Sequence, residues 1–176
     1  MLTCIDDRNH LSLPFIQHLY ETSFPLSERR TWDKVVELID HHPMQLLAIN
    51  DDALLIGFAI LWQAGDWKYL EHFAIDPSLR GKHYGSRVIQ LIIETSRRRL
   101  VLEVEPPTDE FSKRRIGFYE RNGFILAPFV YEQPPYRKGE PAIPMCLMSM
   151  PAIIHSAEMD ITAKAILQTV YAPFWT

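Results

Sequence analysis

Apolar positions change their period several times along the chain, and each change marks an element. Leu2–Ile5 reads as a short strand. Ser12, ahead of Leu13-Pro14, reads as a helix N-cap with proline in the first turn. Ile16, Leu19 and Tyr20 then recur at helical spacing until Phe24-Pro25 interrupts them. A second helix, capped by Ser27 or Thr31, carries Trp32, Val35, Val36 and Ile39 on one face, and Pro43 is expected to stop it. The period then shortens. Gln45–Ile49 and Ala53–Trp62 are apolar, β-rich runs joined by Asn50-Asp51-Asp52, and Ala64-Gly65-Asp66 leads into Trp67–Ile75. Residues 45–75 therefore predict a three-stranded antiparallel meander.

Helical spacing returns over Tyr84–Arg98, with Val88, Ile89, Ile92 and Ile93 as the buried stripe. Arg97-Arg98-Arg99 falls at its end, where cations complement the helix dipole. Leu100–Val104 is a strand ended by Pro106-Pro107. A strand–helix–strand unit in one sheet needs a right-handed parallel crossover, so this strand should run parallel to Trp67–Ile75. Thr108 or Asp109 opens another helix with Phe111, Ile116, Phe118 and Tyr119 as its larger apolar members, closing at Asn122-Gly123. Phe124–Tyr131 and Pro144–Met150 read as two strands joined by "EQPPYRKGEPAI". Residues 151–176 read as one more helix, with Ile161, Ala165 and Ile166 apolar and an aromatic tail of Tyr171, Phe174 and Trp175. The expected class is α/β (mixed α+β), with one domain over 1–150 and a helical extension, 151–176, packed on it.

Composition narrows the function. The 176 residues are 47% hydrophobic and 23% charged, with a net charge of −4, the balance of an ordinary soluble domain. That charge, without a basic face or interleaved aromatics, argues against nucleic acid as a partner. Cys4 and Cys146 sit in apolar strand-like contexts, which fits a reducing cytoplasm better than a disulfide framework. No Cys/His spacing suggests a metal, and His41-His42 are adjacent rather than one helical turn apart. The N-terminal residues show no signal-peptide pattern, and no apolar run is long enough to span a membrane. The expectation is a cytoplasmic protein without metal or membrane partners. Pro144–Met150 or the last helix offers a surface for a homodimer.

The chemistry concentrates in "AIDPSLRGKHYGSRVIQLI", residues 74–92. A strand turns through Asp76-Pro77-Ser78 and sets Arg80, Gly81, Lys82 and Gly85 just before an apolar helix. Free N–H groups at a helix start bind anions. Glycine lets the backbone come close, and the two cations add charge. The spacing is neither a Walker A loop, since Gly85 is followed by Ser86-Arg87, nor a dinucleotide fingerprint.

"R-G-K-H-Y-G-S" after a strand ending "F-A-I-D-P" resembles the pyrophosphate loop of the GNAT family of acetyl-CoA-dependent N-acetyltransferases. Arg80 and Gly85 match the first and last positions of that family's Q/R-x-x-G-x-G/A pattern, and His83 replaces its middle glycine. Histidine tolerates left-handed backbone better than most residues, so the loop is still expected to form. "R-R-I-G-F-Y-E-R-N-G-F", residues 114–124, resembles the family's late helix ending F-Y-x-x-x-G-F, and the element order agrees over residues 1–150.

The resemblance implies a central, mostly antiparallel sheet whose one parallel pair splays at the cofactor slot. It implies direct acetyl transfer from acetyl-CoA to the primary amine of a small molecule. The loop Arg80, Gly81, Lys82, His83, Tyr84, Gly85 and Ser86 would hold the pyrophosphate, and the strand backbone at Phe73, Ala74 and Ile75 the pantetheine and acetyl carbonyl. Tyr119 matches the general-acid tyrosine. Ser112 falls where many members carry a CoA-contacting asparagine. Glu71, in "Y-L-E-H-F", resembles the acidic position of polyamine-acetylating members and is the first candidate for the proton acceptor. His72 beside it should point to the opposite face. Glu103, in "LEVEPP" with Glu105, is the second candidate.

Glu71, Glu103, Glu105, Asp109 and Glu110 around the slot would suit a cationic amine, whereas Arg137 and Lys138 of the late loop would suit an acidic acceptor. Two other activities fit the same resemblance: an acetyltransferase for peptide N-termini, and a non-catalytic acyl-CoA-binding regulatory domain.

Overall fold

A computed structural model describes residues 1–41, 43–97 and 99–174. His42, Arg98 and Trp175, each part of an expectation above, lie outside the described residues. Strand β1 (Leu2–Ile5) pairs antiparallel with β2 (Met44–Asp51), which continues into the meander of β3 (Leu54–Ala64) and β4 (Trp67–Ile75). β5 (Leu100–Val104) lies parallel to β4, joined to it through helix α3 (Tyr84–Thr95). After helix α4 (Glu110–Arg121) come the short strands β6 (Ile125–Leu126) and β7 (Tyr131–Gln133), then β8 (Ile143–Met150). β8 pairs with β5 on one side and with β6 and β7 on the other. It is an inner strand, with partners on both sides.

Both faces of the sheet are covered, which is why β3 is buried almost without alternation from Ile56 to Leu61. Helices α1 (Leu13–Ser23), α2 (Trp32–Leu38) and α5 (Ser156–Ile166) share one core with Phe58, Trp62 and Tyr69. Helices α3 and α4 share the other with Leu70, Leu102 and Met148.

Two irregularities position the site. The β4–β5 ladder runs Lys68↔Leu100, Tyr69↔Val101, Leu70↔Leu102, and the strands part just beyond. At the same level β4 bulges against β3. Ile60 pairs with His72 and Leu61 with Leu70, so Glu71 has no partner of its own. An extra residue breaks the two-residue alternation. The expected opposition of Glu71 and His72 is therefore lost. Glu71 accepts a bond from Trp62, and the His72 ring packs on Tyr20 and Phe24, all in the α1/α2 core.

Element ends differ from the sequence expectation for local reasons. Ser12 and Thr31 sit at N-cap positions, but neither side chain caps its helix. α3 stops at Thr95, with no cation in its last turn, and Arg97 is left-handed at φ 52°. Arg99 instead stacks 4.5 Å over Trp67 and pairs with Glu158. The strand expected over Phe124–Tyr131 splits in two around Pro128, which has no N–H to donate. α5 passes after Ile166 into a π-helical turn, Leu167–Tyr171, and a 3-10 turn, Ala172–Phe174. Ile161 is exposed; Met159, Thr162 and Ile166 are the buried face.

Candidate active site

The anion loop forms through local bonds and two left-handed residues. The Asp76 carboxylate accepts from the Ser78 N–H at 2.8 Å and starts a 3-10 turn, Pro77–Leu79. Gly81 (φ 80°) and His83 (φ 58°) then swing the chain into α3, with His83 in the N-cap position. The left-handed conformation asked of His83 is thus the one it adopts. Tyr84 holds the loop against β2, its hydroxyl donating to Asp51 at 2.6 Å. Gly85 is fixed by space: a Cβ there would lie 3.3 Å from the Phe118 ring of α4.

α4 forms the opposite bank. Asp109 caps it, accepting from the N–H groups of Phe111 and Ser112, while the Ser112 hydroxyl returns to the Asp109 backbone. Phe111, Arg114, Phe118 and Arg121 follow at i, i+3, i+7 and i+10, one stripe along the helix. This stripe, the loop, and Phe73 and Ile75 of β4 enclose a groove of about 710 Å³. Its helix N-terminus, Arg80, Arg114 and Arg121 suit a long polyanion, and Phe111, Leu79 and Phe118 give it apolar walls.

A second cavity, about 220 Å³, opens where β4 and β5 part. Glu71, Ala74, Leu102, Glu103, Ser23 and Phe24 line it. Phe73, Arg115 and Tyr119 line both this chamber and the groove, so the two meet there. Burial pushes the Tyr119 phenol up to about 12, which keeps it protonated at neutral pH.

The two strand carboxylates are held differently. Glu71 is engaged by charge. Its side chain is 1% exposed and ion-paired with Arg30, and it also accepts from Trp62 at 2.7 Å and from Tyr136 at 3.0 Å. Burial alone would raise its pKa, but the Arg30 guanidinium, the nearby His72 ring and the bond from Trp62 hold it down at about 2. Glu103 has neutral donors: Tyr131, Gln133 at 2.7 Å and Tyr171 at 3.0 Å. Tyr171 is bonded in turn to Tyr69 at 3.0 Å. Burial raises the Glu103 pKa above the usual carboxylate value, and these bonds only partly offset it.

Of the residues expected to bind acetyl-CoA, Phe73, Ala74, Ile75, Arg80, Gly81, His83, Tyr84, Gly85 and Ser86 line one cavity or the other. Lys82 and Ser112 line neither. Glu71, Glu103 and Tyr119 come together in the chamber. β7 delivers Tyr131, and the late loop Tyr136, to the two carboxylates, while Arg137 bonds the Leu26 carbonyl at 3.2 Å and pairs with Glu140. Sequence reasoning missed Arg30, Trp62, Arg114 and Arg121. The helical stripe at 111, 114, 118 and 121 was a readable signal for the last two. Arg30 carried none, since only the fold brings it to Glu71.

A family model described as "Acetyltransferase (GNAT) family" matches residues 13–124. Among solved structures, a protein from Bacteroides thetaiotaomicron assigned to the GNAT family is 35% identical, with a TM-score of 0.91 over 97% of this chain and 98% of that one. A mutant of the spermidine N-acetyltransferase SpeG from Vibrio cholerae is 17% identical, with a TM-score of 0.65 over 85% of this chain and 94% of its own. An aminoglycoside 6'-N-acetyltransferase complexed with coenzyme A is 16% identical, with a TM-score of 0.61 over 85% of this chain and 95% of its own. The last two share the fold. Comparison with curated proteins gave no match.

Proposed function

The chain belongs to the GNAT family of acetyltransferases, and from that premise we propose that it transfers an acetyl group from acetyl-CoA directly to the primary amine of a small molecule. The observation that carries this reading is the joining of a cation-lined groove to a small chamber that holds a phenol and a carboxylate. A chamber of about 220 Å³ suits a compact amine better than a stretch of polypeptide.

Acetyl-CoA supplies the activated acyl group. The α3 N-terminus and Arg80 bind its pyrophosphate, and Arg114 and Arg121 face the same groove. The backbone of Phe73–Ile75, freed from β5 by the splay, offers N–H groups to the thioester carbonyl. Glu103 takes the proton from the incoming ammonium. It is the stronger base of the two carboxylates, because burial raises its pKa while Arg30 holds Glu71 near 2. Tyr119 keeps its proton until about pH 12 and holds it ready for the departing sulfur. Glu71 shapes the chamber wall without taking part in proton transfer.

A screen of small primary amines against acetyl-CoA, read as release of free CoA thiol, tests the reading. Turnover with compact amines is expected. Turnover only with peptide N-termini, or with no amine, would contradict it.

A further inference from the structure

The partner of Glu71 is the chain's own cation, and its surroundings are those of a ligand. Arg30, 5% exposed, comes from the loop just before α2. Its guanidinium carbon lies 4.8 Å from the Tyr136 ring, 5.3 Å from Trp62, 5.8 Å from Phe174 and 6.0 Å from Tyr171. Its two terminal nitrogens donate to the Glu71 carboxylate and the Val170 carbonyl. Four aromatic rings, a carboxylate and a carbonyl form a recognition set for an organic cation. They come from β3, β4, the loop before β8 and the C-terminal turns, so the cage is built from four separate segments.

Stability alone is a weak reason for such a pair. Buried ion pairs are often no better than apolar packing of the same volume. The location is more telling. Glu71 also lines the chamber proposed to receive the amine. The other acids expected around the slot are engaged as well: Glu105 pairs with Arg115, Glu110 with Lys113, and Asp109 caps α4. Of these expected acids, Glu103 alone has neither a cationic partner nor a capping role among the described residues, and it is left for the reacting amine.

We propose that this cage is a cation site filled in cis, and that Arg30 is the specificity-determining residue that excludes a second cation from the acceptor. Resting on the acetyltransferase reading above, this makes the acceptor a monoamine whose remainder is uncharged or anionic, and it makes polyamines poor substrates. Removing the Arg30 side chain leaves an aromatic cage with an unpaired carboxylate, open to a cation of similar size.

Arg30→Ala tests this in two ways. The first needs no catalysis. Methylguanidinium chloride should raise the melting temperature of Arg30→Ala saturably and recover most of its deficit, while leaving the wild type unchanged. Sodium chloride at equal ionic strength should recover none. The second is turnover. The ratio of kcat/KM for 1,4-diaminobutane over butylamine should rise about tenfold or more in the variant. If Arg30→Ala folds only when methylguanidinium is present, that is the same rescue.

The proposal is overturned if methylguanidinium gives no rescue while the neutral double variant Arg30→Met/Glu71→Gln folds. It is equally overturned if the diamine ratio stays unchanged in an active variant. Rescue in a protein that acetylates no amine would leave the cage standing and sink the acetyltransferase reading instead.

Discussion

Tyr119 on α4 and Glu103 on β5 line one chamber, at the point where the parallel strands β4 and β5 part. One is a phenol that burial keeps protonated, the other a carboxylate that burial makes a better base. Acyl transfer from a thioester to an ammonium takes two protons from the nitrogen and returns one to the sulfur; Glu103 takes the first, Tyr119 supplies the sulfur's, and the amide nitrogen's second proton makes good the one Tyr119 gives up.

Replacing Tyr119 with Phe removes the donor and keeps the ring that packs on Phe118 and Phe124. Turnover should fall by about 10²–10⁴-fold. Acetyl-CoA affinity, measured by calorimetry, should stay within about threefold of wild type, since the bound ligand still meets the whole loop.

Glu103→Gln should lose turnover to a similar degree and also change the pH profile. A raised carboxylate is protonated up to a higher pH than an ordinary one, so it acts as a base only above that point. The wild-type kcat/KM should therefore fall on its acid side above the usual glutamate value of 4.5. Glu103→Gln should abolish that limb. Glu71→Gln should leave it in place, because Glu71 is already ionised from about pH 2 upward.

The Arg30–Glu71 pair should appear in stability. Glu71 titrates at 4.5 when unfolded and at about 2 when folded. A depressed carboxylate contributes stability above its unfolded pKa and loses it as pH falls through the folded one. Chemical denaturation from pH 5 to pH 2 should show that loss, and Glu71→Gln should flatten it. Leaving Glu71 without its partner, by Arg30→Met alone, should cost about 3–5 kcal/mol at neutral pH. Restoring neutrality with Glu71→Gln should recover most of that.

On the groove's α4 bank, Arg114→Ala and Arg121→Ala should each weaken acetyl-CoA by roughly threefold to tenfold. Both side chains are exposed, so salt should screen their contribution. The affinity gap to wild type should close as ionic strength rises in a titration series.

Much of this was legible in the chain. Leu2–Ile5, Trp67–Ile75 and Leu100–Val104 are strands at the bounds their sequence suggested, and β4 and β5 run parallel as the crossover rule required. Loop, phenol and both carboxylates, which line the two cavities, could be singled out in the sequence because each sits in a short local motif. What the sequence hid was long-range. A one-residue bulge at Glu71 reversed the side its neighbour faces, and bulges leave no periodic trace. Arg30 meets Glu71 across 41 residues and Val170 across 140. An Arg29-Arg30 doublet in a polar loop carries no sign of such partners. Pro128 could have been read as a strand break, since proline interrupts inner ladders.

The most direct test of the acetyltransferase account is calorimetric titration of acetyl-CoA into wild type and Gly85→Glu. A Cβ at position 85 already meets the Phe118 ring at 3.3 Å, and a carboxylate there would also repel the pyrophosphate. Micromolar binding by wild type, abolished in a variant that still melts cooperatively, is the predicted result. No binding by wild type, or equal binding by both proteins, would contradict the account.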